Sequence, residues 1–161
     1  VSPDRLVRVR ENLARLHLEA EVVAADVTSW QPGTTFDAIL LDAPCSATGT
    51  IRRHPELPFL KDGSELAELT ALQAQLLDRA LGWLKSGGRL VFCTCSLLPD
   101  EGEAQLAAAL VRHPGLTVIQ PDLAGVEPGW ITPEGGLRLR PDYWADRGGL
   151  DGLFMVCLRK G

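Results

Sequence analysis

Three side chains with reactive chemistry stand at the ends of two apolar runs in this sequence. The stretch LLDAPCSATGT delivers Asp42 and Cys45 to one loop, and the stretch RLVFCTCS delivers Cys95 to another. A free thiol has a pKa of about 8.5 and becomes a better nucleophile where its surroundings favour the thiolate. The two cysteines could therefore form a redox pair, a nucleophile with a helper, or two inert core residues.

The other two cysteines narrow these choices. Cys93 and Cys157 lie within apolar strand-like runs and are expected to be small buried hydrophobic residues. The CTC spacing lacks the two-residue gap of a zinc knuckle and no second pair completes a site, so we expect no metal. Neither Cys45 nor Cys95 belongs to a C-x-x-C motif, which makes a thiol–disulfide protein the weakest interpretation.

Composition sets the broad class of the protein. The 161 residues are 45% hydrophobic and 23% charged, as expected for one globular domain over residues 1–161. No run approaches the ~20 apolar residues of a membrane span, and the charged N-terminal segment does not resemble a signal peptide, so a cytoplasmic location is expected. The net charge of −5 argues against a stand-alone nucleic-acid binder, which usually has a basic surface.

The first half of the chain has a clear pattern of elements. Apolar periodicity predicts a helix from Ser2 to about His17 and a short strand, EVVAAD, that ends at Asp26. The continuously apolar FDAILLDAP is typical of a buried parallel strand. A long helix is predicted in GSELAELTALQAQLLDRALGWL, and we expect Gly87 and Gly88 to end it.

The second half continues the alternation. We predict strands in RLVFCTCS, LTVIQ and GLFMVCLRK and a helix in PDEGEAQLAAALVRH. A long excursion at residues 124–149 precedes the last strand, and we expect its aromatic side chains to give it an ordered structure. This order predicts an open α/β sheet, mostly parallel, with helices on both faces. Such sheets bind ligands at the carboxyl ends of their strands, where Asp26, Asp42 and Cys95 fall.

The residues around the cysteines resemble two signature motifs of one enzyme family. DAPCS and TCS, in this order, are similar to motifs of the Sun/Fmu family of RNA 5-methylcytosine methyltransferases, which use S-adenosylmethionine. The resemblance covers nearly the whole chain, because five further stretches are also similar to the family: SPDRLVRVRENLARL, LQAQLLDRAL, LKSGG, PDEGE and DGLFMVCLRK. It implies a Rossmann-like methyltransferase fold. The continuation TGTIRRHPE resembles the branch that acts on small-subunit ribosomal RNA.

The resemblance also implies a role for individual residues. Cys95 would add to carbon 6 of cytosine, because carbon 5 is too weak a nucleophile to accept a methyl group unaided. Asp42 would hydrogen-bond the cytosine edge near nitrogen 3 and touch the cofactor. Cys45 would assist product release. Asp26 would contact the adenosine of the cofactor, with a loop-start residue as its alternative.

Two arginines follow the first motif. The resemblance implies that Arg52 and Arg53 meet RNA phosphates or a neighbouring base, and ordinary surface charge is the alternative. The implied partner is therefore small-subunit ribosomal RNA, with no membrane.

The sequence also departs from the family pattern. The glycine-rich cofactor loop and the first two strands of the methyltransferase sheet are absent, so we expect an N-terminally truncated sheet. EVVAAD would lack its partner strand, and an unpaired edge invites self-association. The isolated fragment is expected to be inactive and to bind S-adenosylmethionine weakly or not at all. The alternative is a non-catalytic module that binds RNA or protein.

Overall fold

The computed structural model describes residues 3–161 of the chain. Their contacts divide into two compact units, the first ending at Gly33 and the second running from Thr34 to Gly161. The single domain expected over residues 1–161 stays a prediction. No helix within residues 3–161 is both long and apolar enough to cross a membrane.

The first unit contains helix α1, Pro3–Leu16. It matches the predicted helix, although Ser2 lies outside the described residues. His17 follows with φ 54°, a left-handed conformation that ends the helix. The strand predicted at EVVAAD is wrong, because residues 21–26 form no strand. A strand needs a backbone partner, and residues 3–33 supply none.

The second unit is a five-stranded sheet with helices. Its strands are β1 Phe36–Asp42, β2 Leu84–Thr94, β3 Leu116–Ile119, β4 Leu137–Leu139 and β5 Leu153–Lys160. Its α-helices are α2 Leu57–Leu60, α3 Leu66–Trp83 and α4 Glu103–Arg112. The spatial order is β1-β2-β5-β3, and β4 pairs with β5.

The directions of the strands correct the expectation of a mostly parallel sheet. β1 and β2 pair in parallel, but β5 lies antiparallel between β2 and β3 and also pairs antiparallel with β4. Most pairings in residues 34–161 are therefore antiparallel. The physical reason is the connection: helices α3 and α4 carry the chain across to parallel positions, whereas the long loop before β5 reverses it without a helical crossover.

The two long helices of the second unit cover one face of its sheet, not both faces. Side chains of α3 and α4 share a core with Phe92 of β2 and with Phe154, Val156 and Leu158, the alternate residues of β5. β1 to β2 and β2 to β3 advance in the same direction across the sheet. Right-handed crossovers in the same direction place both helices on the same side.

Strand β1 is at the edge of the described sheet. Ile39 and Leu41 pack against the core, but Leu40 points away from it and is 71% exposed. The expectation of a strand buried on both faces is therefore wrong for residues 34–161. Self-association through an exposed sheet edge stays a prediction.

Two boundaries differ from the sequence pattern in detail. α3 ends at Trp83 and β2 begins at Leu84, before the glycines that were expected to end the helix. The pairing of β1 with β2 shifts register between Phe36 and Ala38, and Gly87 adopts φ 75° in this irregular stretch. The glycines therefore serve a bulge in the strand rather than a helix end.

The excursion at residues 124–149 is ordered by its aromatic side chains, as predicted. Trp130 is buried and stacks on Tyr143, with ring centroids 5.1 Å apart and planes 9° from parallel. Trp144 meets the same indole edge-on at 5.3 Å. The excursion also contributes β4 to the sheet.

Candidate active site

The two motif loops meet because they leave adjacent parallel strands. Asp42, the last residue of β1, pairs with Cys93 near the end of β2. Beyond the strands, the Ala43 N–H donates to the Cys93 carbonyl at 3.0 Å and the Gly49 N–H donates to the Cys95 carbonyl at 3.0 Å. These bonds extend the pairing into the loops, so both loops lie at the same end of the sheet.

The structure brings the two candidate cysteines into contact. The sulfur atoms of Cys45 and Cys95 are 3.4 Å apart, and both residues are partly buried. This separation is far longer than the ~2.05 Å of a disulfide, so both are free thiols. Two thiols this close can act on the same atom of a small planar substrate or on adjacent atoms.

The surroundings of Cys45 favour its protonated form. Burial raises the pKa of Cys45 to about 12, and the neighbouring Cys95 and Glu101 add to the increase. Cys45 therefore keeps its proton at neutral pH, which suits a helper rather than a nucleophile.

Asp42 lies exposed at the end of β1, beside Cys93. The Cys93 thiol lies 3.8 Å from Asp42 Oδ1 and donates to the Leu41 carbonyl at 3.6 Å. Burial raises the pKa of Cys93 to about 11, with a further contribution from the carboxylate of Asp42. Cys93 is a buried thiol, as predicted, whereas Cys157 is only partly buried.

Sequence reasoning missed Glu101, which is fully buried at 0% exposure. Its Oε1 accepts from the Ser46 N–H at 2.9 Å and from Gln73 Nε2 at 3.0 Å, and its Oε2 accepts from Ser46 Oγ at 2.5 Å. The acidic stretch PDEGE looks like the solvated start of a helix, so nothing local distinguishes this carboxylate. What distinguishes Glu101 is its hydrogen bonds with Ser46, which follows Cys45 and lies far from Glu101 in the sequence.

The buried carboxylate of Glu101 has a lowered pKa. Burial raises this pKa, but the hydrogen bonds donated to the carboxylate outweigh burial and hold the pKa below its usual value. Folding therefore favours the ionised form. The stability it contributes is present above the unfolded-state pKa and is lost as the pH falls through the folded-state pKa.

Acid titration of Glu101→Gln tests this linkage. We expect the substitution to lower the free energy of unfolding at neutral pH by about 1–3 kcal/mol, since a charged acceptor of buried donors is lost. As the pH is lowered from about 5 to about 3, where carboxylates protonate, the free energy of unfolding of the variant should decrease less than that of the unsubstituted chain. Urea unfolding at several pH values measures both effects. Asp100→Asn, at an exposed neighbouring carboxylate, is the matched control.

Arg138 is a second residue that sequence reasoning missed. Its guanidinium donates to the Ser96 carbonyl and binds Glu103 on α4, with Nε to Oε1 at 3.0 Å. Only 13% of the side chain is exposed. It therefore ties the loop after Cys95 to β4 and to α4.

The two predicted RNA-binding arginines are exposed but already have an acidic partner. Arg53 Nε donates to Asp151 Oδ2 at 2.7 Å, and Arg52 Nη2 lies 3.5 Å from Asp151 Oδ1. The carboxylate neutralises part of the positive charge. An incoming phosphate would compete with Asp151 for both guanidinium groups.

Asp26 belongs to the first unit and closes a local turn. Its Oδ1 accepts from the Thr28 N–H at 2.8 Å and from Thr28 Oγ1 at 2.7 Å, and its carbonyl accepts from the Trp30 N–H at 2.7 Å. This is the arrangement of an Asx-turn. The loop-start alternative for Asp26 therefore has direct geometric support.

The residues at the sheet end fit part of an S-adenosylmethionine site. Asp42 offers an exposed carboxylate at the carboxyl end of a strand, which suits the cationic amino group of a methionine moiety. Within residues 3–161 no group of three or more His, Cys, Asp or Glu side chains could hold a metal ion.

Comparisons with known proteins identify the family of the chain. The family model described as "16S rRNA methyltransferase RsmB/F" matches residues 1–159. The chain is 48% identical over 135 residues to ribosomal RNA small subunit methyltransferase B of Shewanella oneidensis, covering 80% of this chain and 32% of that protein. The corresponding protein of Pseudomonas putida is 45% identical over 159 residues, covering 97% and 35%. The chain thus spans about a third of the length of these relatives.

Solved structures give the same answer for the fold. NSun6 from Pyrococcus horikoshii with SFG matches with a TM-score of 0.83 and 28% identity, over 99% of this chain and 39% of that one. The N-methyltransferase NodS from Bradyrhizobium japonicum in complex with S-adenosyl-l-homocysteine matches with a TM-score of 0.54 at 14% identity, over 99% and 63%, and shows the methyltransferase fold alone. The chain belongs to the RsmB/F family of 16S rRNA methyltransferases.

Proposed function

We propose that this chain forms the catalytic part of an enzyme that methylates carbon 5 of a cytidine in small-subunit ribosomal RNA, with S-adenosylmethionine as methyl donor. The observation that carries the proposal is the pair of free thiols, Cys45 and Cys95, 3.4 Å apart at the end of parallel strands. The names of the relatives support a small-subunit ribosomal RNA substrate, which would be met in the cytoplasm. The proposal concerns a longer protein, in which this chain is joined to the further sequence that its relatives contain.

The first step makes carbon 5 nucleophilic. The sulfur of Cys95, as the thiolate, bonds to carbon 6 of cytosine, and the carbon 5–carbon 6 double bond opens. Asp42 hydrogen-bonds the cytosine edge near nitrogen 3, where a proton offsets the negative charge that addition creates. The cofactor, when bound, supplies a methyl group on a cationic sulfur. Carbon 5 then accepts that methyl group.

The second step restores the ring and the enzyme. The proton on carbon 5 leaves, the double bond re-forms, and the bond between carbon 6 and the sulfur of Cys95 breaks. One methyl group is gained and one proton is lost, and the Cys95 thiolate is regenerated. We assign Cys45 to this release, directly or by activating a base. The raised pKa of Cys45, about 12, keeps this residue from competing with Cys95 as the attacking thiolate.

Three further residues are proposed to bind rather than react. Arg52 and Arg53 would contact RNA phosphates or a neighbouring base, and their ion pairs with Asp151 would break when the RNA binds. Asp26 would contact the adenosine moiety of the cofactor. The isolated chain spans about a third of its relatives and is expected to be inactive and to bind S-adenosylmethionine weakly or not at all. Isothermal titration of the isolated chain that gave tight cofactor binding would contradict this expectation.

The position of the methyl group tests the proposed reaction. The full-length protein is incubated with small-subunit ribosomal RNA and S-adenosylmethionine labelled in the methyl group, and the RNA is digested to nucleosides. We expect the label to coelute with 5-methylcytidine. Label in another nucleoside, or on the exocyclic nitrogen or ribose of cytidine, would reject carbon 5 as the target. An Asp42→Asn enzyme should incorporate far less label.

A further inference from the structure

Glu101 contacts the chain next to both cysteines, although it touches no residue that the proposed reaction uses directly. It ends the short 3-10 helix Pro99–Glu101, which follows the loop of Cys95. Both oxygens of its carboxylate bind Ser46, the residue after Cys45, through the backbone N–H and the hydroxyl. A single side chain from one cysteine loop thus holds the other loop by two hydrogen bonds.

The remaining neighbours of the cysteines join the same network. Gln73 Nε2 donates both to Glu101 Oε1 at 3.0 Å and to the carbonyl of Pro44, before Cys45, at 2.8 Å. Thr94, before Cys95, donates its hydroxyl to the Glu101 carbonyl at 3.0 Å. The hydroxyl of Ser96, after Cys95, hydrogen-bonds the hydroxyl of Ser46 at 3.2 Å and so joins the network through Ser46. The residues on each side of both cysteines are therefore fixed with respect to Glu101.

The carboxylate suits this position better than a neutral amide. An ionised carboxylate only accepts hydrogen bonds, and every group that faces Glu101 in this network can donate one. A glutamine would turn an NH2 group toward one of these donors. Hydrogen bonds to a charged acceptor in a buried site are also stronger than neutral ones.

We propose that Glu101 is a positioning residue that sets the separation of the two reactive sulfur atoms. It acts through Ser46 and Gln73 on the loop of Cys45, and through Thr94 and Ser96 on the loop of Cys95. The importance of that separation rests on the proposed function, in which one thiol adds to cytosine and the other assists release.

A bifunctional thiol reagent measures the separation without any catalysis. The chain is prepared with Cys93→Ala and Cys157→Ala, so that only Cys45 and Cys95 react, and is treated with dibromobimane. We expect Glu101→Gln to slow bridging of the two thiols by about tenfold, in line with the loss of a charged hydrogen-bond acceptor. Reaction of the thiols with monobromobimane should change much less. Asp100→Asn is the matched control and should bridge like the parent.

A pH profile separates positioning from a general loss of structure. The charged or titratable groups that raise the pKa of Cys45 are Cys95 and Glu101. In a Cys95→Ala background, alkylation of Cys45 should therefore shift to lower pH on Glu101→Gln and stay in place on Asp100→Asn. Circular dichroism and urea unfolding establish that each variant is folded.

Ser46→Ala is the second variant, because it removes only the hydroxyl donor and keeps the carboxylate. It should also slow bridging, less than Glu101→Gln does. The proposal is overturned if Glu101→Gln is folded and its thiols are bridged at the rate of the parent. If Glu101→Gln does not fold, the same result with folded Ser46→Ala overturns it. Because bridging requires neither RNA nor cofactor, its outcome is independent of whether the methylated atom proves to be carbon 5.

Discussion

A full-length enzyme carrying Cys95→Ala is expected to lose methyl transfer to RNA by about 10⁴-fold or more, the scale seen when a covalent nucleophile is removed. The reason is chemical: without addition at carbon 6, carbon 5 of cytosine is too weak a nucleophile to attack a methyl group. Incorporation of labelled methyl groups under single-turnover conditions measures the rate. The thermal midpoint should change little, since Cys95 is only partly buried.

Cys157→Ala is the matched control for this loss. Cys157 is a partly buried cysteine in the middle of β5, and the proposed reaction does not use it. Its substitution by alanine should leave the rate within about twofold, as expected for a conservative change away from the site. A Cys95→Ala enzyme that kept a tenth of the parent rate would remove Cys95 from the role of nucleophile.

The second large effect is expected at Gly49, in the loop of Cys45. A Cβ atom on Gly49 would lie 2.0 Å from the Gly152 carbonyl oxygen and 2.9 Å from the Cys95 carbonyl oxygen. These are backbone atoms that cannot rotate away, and the Gly152 N–H also donates to the Gly49 carbonyl at 2.7 Å. Gly49→Ala must therefore push the loop of Cys45 away from the segment before β5 and from the loop of Cys95.

We expect Gly49→Ala to lower the free energy of unfolding by about 3 kcal/mol, at the upper end of the cost of overpacking, or to prevent folding. Gly82→Ala is the same substitution on α3, where an added Cβ meets nothing within 4 Å. It should be neutral or gain up to about 1 kcal/mol from helix propensity. Urea unfolding of the two variants measures the difference. Equal stability would contradict the close approach of these loops.

The convergence of the two cysteines could be predicted from the sequence because it depends on local patterns. Apolar runs locate strands β1 and β2, the helical stripe between them makes the pair parallel, and parallel strands end at the same edge. The same pattern predicts that Asp42 and Cys95 lie close together at that edge. Their chemical roles came from the resemblance of the flanking residues to a family, and they stay predictions.

The features that the sequence did not predict depend on partners distant in the chain. EVVAAD has the composition of a strand but has no strand beside it in residues 3–33, so propensity alone misled. The reversed direction of β5 depends on a long loop that carries no directional pattern. Glu101 looks like a solvated helix-start residue until Ser46 and Gln73 surround it. Burial of a charge is a tertiary property.

The division of labour between the two cysteines is tested most directly by the covalent adduct that Cys45→Ala should accumulate. If Cys45 assists release after Cys95 has added, the full-length Cys45→Ala enzyme should remain bonded to methylated RNA in the presence of S-adenosylmethionine. Denaturing electrophoresis detects the complex, and mass spectrometry after nuclease and protease digestion identifies the modified residue. We expect a methylcytidine nucleotide attached to Cys95. Attachment to any other residue, or no adduct from an enzyme that still binds RNA and cofactor, would contradict this division of labour.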